Sequence, residues 1–410
     1  MEATQKEETE TTGSGGKSGI SMVKTGLDVL IESDFELLRG KRVGVITNHT
    51  GVSGDGRHIV DLLSDFEGAE LLAVFGPEHG VRGVAPDGKS VKSNIDEISG
   101  VPIYSLYGKS KRPTEGMIDK LDVLLFDIQD VGARFYSYIY TMALAMEAAA
   151  INGKQFIVLD RPNPITGSKV EGPILQSGFE SFVGMFPMPV RHGMTVGELA
   201  LLFKGEGWIE EAESLDLKIV PMKGWNRNRW FDQTDVKWIS PSPSMKTLNT
   251  ATVYPGTCFI EGTNLSEGRG TEFPFELIGA PWIDSEELAR EMNSLGLKGV
   301  SFEAVEFTPI AMLPSVPNPK FKDEVCGGIR VRVITRELFE PVKTGESLIL
   351  ALKTLYPTEF EWSGTINRLY GSAALKNGAD EGRELADIRS GQEHGLNEFL
   401  ELRSNYLLYE

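Results

Sequence analysis

The chain has 410 residues, 40% hydrophobic and 24% charged, the composition of a folded globular protein and too long for one core, so two domains are expected. Its formal charge of −18 excludes a nucleic-acid partner and electrostatic adsorption to anionic lipid, and leaves room for a small ligand held in a cleft. No apolar run approaches the ~20 residues of a membrane span, and Cys258 and Cys326 allow one disulfide but no disulfide framework and no zinc-type spacing.

In chain order, residues 1–25 come first. They are acidic and rich in Ser, Thr and Gly, cannot bury enough apolar surface to offset ordering, and read as a disordered tether. The segment has no h-region and so is not an intact signal peptide. It fits the stalk of an exported protein or lipoprotein, for a periplasmic or extracellular location. A cytoplasmic protein with a disordered N-terminus is the alternative.

From residue 41 strands and helices alternate. "KRVGVITN" is a β-branched run, followed by a helix around "HIVDLLSDF"; the strands "AELLAVFG", "VPIYSLYG" and "DVLLFDIQD" come next. "YSYIYTMALAMEAAAING" has Ile139, Met142, Ala143, Met146 and Ala150 at helical spacing, and "QFIVLDRPNP" resumes the strands until Pro162 and Pro164 force an exit. Such alternation predicts an α/β fold with a doubly wound, mostly parallel sheet. Beyond about residue 225 long polar, aromatic-dotted stretches take over, and after "GAPWID" a second α and β mixture begins. The expected domains are 26–280, carrying the chemistry, and 281–410, a smaller α+β unit.

In open α/β sheets ligands bind beyond the carboxyl ends of the strands. Each predicted strand ends in reactive side chains: Asn48 and His49 after the first, Glu78 and His79 after the second. "FDIQDVGARFY" brings Asp127, Gln129, Asp130, Arg134 and Tyr136, and "LDRPNP" brings Asp160, Arg161 and Asn163. "PVRHGMTVGELA" adds Arg191 and His192 ahead of a helix that Thr195 and Glu198 can close with a capping box. "EGTNLSEGRGT" adds Glu261, Asn264, Glu267 and Arg269 on a glycine-rich loop suited to a lid or ligand contact.

No GxGxxG follows the first strand, and no Walker A loop, HExxH or GxSxG is present. His79, His192 and Asp127 could be imagined around a metal, but no ligand spacing supports one, and no metal or cofactor is expected. What remains, carboxylates, amides, arginines and aromatic rings, suits sugars. Glycoside hydrolysis needs a protonated carboxylic acid to assist the leaving oxygen. Glu78 is the attractive acid, because a buried turn at the end of an apolar strand raises a carboxyl pKa.

The stretches "FGPEHGVRG", "LLFDIQDVGARFYSYIYTM", "VLDRPNPITG", "VEGP", "FPMPVRHGMTVGELA", "YPGTCFIEGTNLSEGRGTEFPFELIGAPWID" and "YLLY" together resemble the exo-acting β-N-acetylmuramidases of bacterial cell-wall turnover, a family long described only as a domain of unknown function. The resemblance runs from about residue 25 to the last residues. It implies a Rossmann-like catalytic domain, an auxiliary C-terminal domain and an active site in the cleft between them. It also implies release of terminal N-acetylmuramic acid from the non-reducing end of peptidoglycan fragments, with Glu78 as general acid.

The sugar's lactyl carboxylate favours a bidentate guanidinium partner, for which Arg134, Arg161, Arg191 and Arg269 are candidates, Arg134 and Arg269 foremost. Asn48, Gln129 and Asn163 suit hydroxyl and acetamido contacts, with Tyr136, Glu261 and Asn264 also at the site, and His79 and His192 suit orientation of carboxylates or the acetamide. Asp127, Asp130 or Glu267 is the second catalytic group, unless the substrate's acetamide takes part. Lys89 and Ser244 depart from the family's usual acidic residue and asparagine. A non-catalytic muropeptide-binding protein and a metal-dependent hydrolase are the competing readings.

Overall fold

The computed structural model describes residues 22–78, 80–81, 94–96, 99–108 and 110–410; His79 and Lys89 lie outside the described residues. Seven strands, β1 (Arg42–Thr47), β2 (Glu70–Gly76), β3 (Asn94–Ile95), β4 (Pro102–Ser105), β5 (Val123–Asp127), β6 (Gln155–Leu159) and β7 (Asp216–Val220), form one sheet in the order β3-β4-β2-β1-β5-β6-β7. All neighbours pair in parallel except β3, which is antiparallel to β4 at the edge. The six parallel strands therefore run in the doubly wound order that reverses between β1 and β5, where the carboxyl ends open a crevice.

The strands β1, β2, β5 and β6 read as near-continuous apolar runs because both faces are covered, whereas β7, at the edge, exposes Asp216 and Lys218. Along β5, Val123 and Leu125 enter the core beneath one face, while Leu124 and Phe126 enter the core on the other. Helices α1 (Gly26–Glu32) and α2 (Ile59–Asp65) cover the first face; after the single-turn α3 (Glu115–Ile118), α4 (Tyr138–Ile151) and α5 (Val196–Gly205) cover the second. Helix α4 is buried almost all round, beyond the one apolar stripe expected of it. The expected capping box of α5 is present: the Thr195 side chain accepts from the Glu198 amide, and the Glu198 carboxylate accepts from the Thr195 amide.

The second sheet is antiparallel, β8 (Leu277–Ala280), β9 (Val300–Phe307) and β10 (Cys326–Val333), with β10 central. Helices α6 (Leu248–Thr257), α7 (Ser285–Ser294), α8 (Pro341–Leu355) and α9 (Ile366–Tyr370) accompany it. Helices α6 and α8 touch backbone to backbone: a Cβ on Gly256 would meet the Pro341 carbonyl oxygen at 1.8 Å. The core on the α4 side continues unbroken into this unit through Phe259, Ile278 and Leu348.

The chain then returns to the first unit. After the helix Gln392–Ser404, the Tyr409 hydroxyl donates to Asp160 Oδ2 at 2.6 Å and accepts from the Met222 amide. Cys258 and Cys326 are both free and buried, so the one possible disulfide is not formed.

Candidate active site

The turn after β2 carries Glu78. Gly80, at φ +73°, closes it by donating its amide to the Pro77 carbonyl at 2.9 Å, a conformation that favours glycine. The turn leaves Glu78 half buried, where the apolar approach of the strand had suggested full enclosure. Ser137 Oγ donates to Glu78 Oε2 at 3.3 Å. Ser137 is the N-cap residue of α4, yet its side chain makes no capping bond; its hydroxyl serves the carboxylate instead.

Glu78 lines a cavity of about 200 Å³ between the two units. Its aromatic wall is a chain of edge contacts, Tyr138 to Tyr136 (5.0 Å), Tyr136 to Tyr254 (5.9 Å) and Tyr254 to Phe275 (4.7 Å). Burial pushes the Tyr136 and Tyr254 phenols well above their ordinary pKa, so both stay protonated. Ser242, Cys258 and Glu261 complete the polar lining, with Arg269 as its cation among the described residues.

Arg269 sits in a row of alternating charge. Its Nη1 meets Glu261 Oε1 and, at 3.3 Å, Glu267 Oε1, and Lys320 Nζ lies 3.2 Å from Glu267 Oε2. Burial alone would raise the pKa of Glu267, but Arg269 and then Lys320 outweigh it and hold the carboxyl below its usual range. Glu267 is thus an ionised structural partner of two cations and lies off the cavity wall.

Behind Tyr136, at the ends of β1 and β5, is a second polar group. His192 Nδ1 accepts from the Met194 amide, and its Nε2 lies 3.6 Å from Asp130 Oδ2. Asp130 Oδ2 also accepts from the Gly132 amide at 2.7 Å. Asn48 Oδ1 accepts from Thr50. Asn48 Nδ2, Asp130 Oδ1 and His192 Nε2 are buried without a hydrogen bond, which buried polar atoms rarely are.

Several expected site residues prove to be structural. Asp127 is fully buried in a two-point pair with Arg161, which removes it as a catalytic base and Arg161 as a lactyl partner. Arg134 is fully enclosed and donates to the carbonyls of Pro173, Met188 and Leu369, which corrects its expected role. Burial, opposed only weakly by Tyr140 and Tyr370, brings its pKa down to about 10. Arg191, also lowered to about 10 by burial, donates to the Ile165 carbonyl. Asn163 holds the turn between the Met194 carbonyl and the Ile165 amide. Asn264 is bonded to the backbone of Glu359 and Glu361. Gln129 donates to the Asp130 and Pro162 carbonyls and lines, with Arg161, a separate cavity of about 210 Å³ at the β1–β5 crevice.

Of the expected residues within the described part, Glu78, Tyr136, Glu261 and Arg269 reach the Glu78 cavity. Ser137, Tyr138, Ser242, Tyr254, Cys258 and Lys320 were missed. The first two lie inside the quoted "LLFDIQDVGARFYSYIYTM", and Tyr254 and Cys258 inside "YPGTCFIEGTNLSEGRGTEFPFELIGAPWID", so their signal was present; Ser242, two residues before Ser244, and Lys320 had none. Ser244 is buried in the turn that follows Ser242.

Comparison with known proteins agrees with this architecture. Residues 43–249 match the family described as exo-beta-N-acetylmuramidase NamZ, N-terminal, and residues 252–409 match its C-terminal counterpart. The peptidoglycan beta-N-acetylmuramidase NamZ of Bacillus subtilis (strain 168) is 49% identical over 389 residues, covering 94% of this chain and 91% of that protein. Two crystal structures of DUF1343-family proteins from Bacteroides fragilis NCTC 9343 superpose with TM-scores of 0.87 and 0.77 at 37% and 31% identity, each over 95% of this chain and 99% of the other. With both of its halves matched and a relative of this identity along nearly its whole length, the chain belongs to the NamZ exo-beta-N-acetylmuramidase family.

Proposed function

We propose that this protein is an exo-acting glycosidase that releases terminal N-acetylmuramic acid from the non-reducing end of peptidoglycan fragments, with Glu78 as general acid. The observation that carries the assignment is Glu78 itself, a half-buried carboxyl on the wall of a small cavity, in a chain of this family.

In this reading Glu78 protonates the glycosidic oxygen as the bond to the anomeric carbon breaks, and Ser137 orients the carboxyl. The rings of Tyr136, Tyr138 and Tyr254 on the wall receive the apolar faces of the sugar, while the Tyr138 hydroxyl is held by the Pro241 carbonyl. Arg269, the cavity's cation among the described residues, takes the lactyl carboxylate. Glu261 is the second carboxylate on the wall. Peptidoglycan is met outside the cytoplasmic membrane, so a periplasmic or extracellular location is part of the proposal.

The test is incubation with a disaccharide bearing N-acetylmuramic acid at its non-reducing end, followed by mass detection of the free sugar. Release by the parent and none by Glu78→Gln is expected. A protein that binds the disaccharide without cleaving it would instead be a muropeptide-binding member of the family.

A further inference from the structure

Behind the Arg269 that lines the Glu78 cavity stands a second cation, Lys320, which is not on the wall itself. Lys320 lies on the long connection between β9 and β10, and its Nζ donates to the carbonyls of Leu265 (2.8 Å), Thr263 (2.9 Å) and Ile260 (3.4 Å) while standing 3.2 Å from Glu267 Oε2. The same connection is pinned to the residue after Arg269: the Ile310 amide donates to the Gly270 carbonyl at 2.9 Å. A Cβ on Gly270 would meet the Ile310 oxygen at 2.6 Å and Pro319 at 2.7 Å. The loop that carries Arg269 is therefore built against the loop that carries Lys320.

The charges explain why a lysine is needed there. Glu261 and Glu267 both meet Arg269 Nη1, so the three groups alone sum to one negative charge. A substrate carboxylate arriving at Arg269 would be repelled. Lys320 supplies the second cation, makes the row Glu261–Arg269–Glu267–Lys320 neutral, and lets the guanidinium present its charge to the cavity.

We infer that Lys320 is a positioning residue, by which the second unit sets the preference of the cavity for a sugar bearing a carboxylate over the same sugar without one. The inference rests on the reading of Arg269 as the partner of the lactyl group. Lys320 itself touches no reacting atom.

The experiment uses the full chain and two chromogenic β-N-acetylmuraminides, one with the free lactyl acid and one with the lactyl amide. Lys320→Met is expected to raise KM for the acid about tenfold, to leave KM for the amide and both kcat values within about twofold, and to be rescued by Lys320→Arg. Equal changes for both substrates, or none, would overturn the inference. Should Lys320→Met fail to fold, Lys320→Gln keeps a donor for the three carbonyls while removing the charge, and the same ratio decides. Arg269→Gln is measured alongside. If it leaves the acid-to-amide ratio unchanged, the lactyl reading of Arg269 falls; if it collapses the ratio while Lys320→Met does not, only the role of Lys320 falls.

Discussion

Arg161 grips Asp127 at two points, Nε to Oδ1 at 2.5 Å and Nη2 to Oδ2 at 2.9 Å, with both side chains removed from solvent at the ends of neighbouring strands. Taking one partner from a buried pair strands the other charge. Asp127→Asn is therefore expected to lose about 3–5 kcal/mol of stability in chemical denaturation. The folded enzyme should keep near-parental kcat; a loss of a hundredfold or so at unchanged stability would restore Asp127 as a catalytic base.

Glu78→Gln conserves shape on a half-buried turn, so its unfolding free energy should stay within about 1 kcal/mol of the parent. Its kcat/KM should fall by about two to four orders of magnitude, the range for a lost general acid. Ser137→Ala removes only the hydroxyl that orients the carboxyl, and about a tenfold loss or less is expected. A Ser137→Ala effect as large as that of Glu78→Gln would mean that the hydroxyl takes part in the chemistry.

Arg134→Ala tests the opposite kind of residue. The substitution takes the guanidinium from the Pro173, Met188 and Leu369 carbonyls, of which Met188 keeps the Leu175 amide, and opens space beside Gly371, so a loss of about 2–4 kcal/mol is expected. Binding of N-acetylmuramic acid and of N-acetylglucosamine should weaken together or not at all. A selective loss of the former, measured calorimetrically, would return Arg134 to the sugar site.

Two buried carboxyls set the response to pH. Burial raises Asp160 to about 7 against donors from Tyr409, Gly197 and Thr195, and raises Glu171 to about 7 against the Lys343 amide and Arg191. A raised folded pKa means that the native state holds the proton more tightly than the unfolded chain. Their stabilisation is complete below the unfolded values of 3.8 and 4.5 and is lost as pH rises to about 7. The thermal midpoint should accordingly decline from pH 5 to pH 7, and Glu171→Gln should flatten the decline. An unchanged slope in that variant would assign the effect elsewhere.

Burial pushes the Cys258 thiol well above its usual pKa and the Cys326 thiol up to about 11. Neither should react with an aromatic disulfide reagent in the native protein, and both should react after unfolding. Reducing agent should leave the thermal midpoint unchanged. A midpoint that falls on reduction would contradict the free thiols.

The inner strands β1, β2, β5 and β6 were legible because fully covered parallel strands advertise themselves as unbroken apolar runs; β7 was not, because at the edge it exposes Asp216 and Lys218. The strand ends were legible because Asn48, Glu78, Asp130 and Asp160 interrupt those runs where a sheet must stop. The choice among the arginines was not. Arg134, Arg161, Arg191 and Arg269 look alike in the chain, and what separates them is the identity of partners far away in sequence, such as the Leu369 carbonyl for Arg134 or Glu261 for Arg269. Lys320 was invisible for the same reason, since it stands in a polar loop and acquires meaning only through Glu267. Ser137 and Tyr138 could have been found, but helical spacing explained them as ordinary helix residues and hid their place on a cavity wall.

The hydrogen bond from Tyr409 to Asp160 spans 249 positions of the chain. Asp160 follows β6 and neighbours Arg161 in the crevice, so this part of the first unit takes a partner from a segment that has already passed through the second. A chain shortened before Tyr409 would bury the same carboxyl on the donors of Arg161, Thr195 and Gly197 alone. The return of the chain thus works as a stitch between the two units.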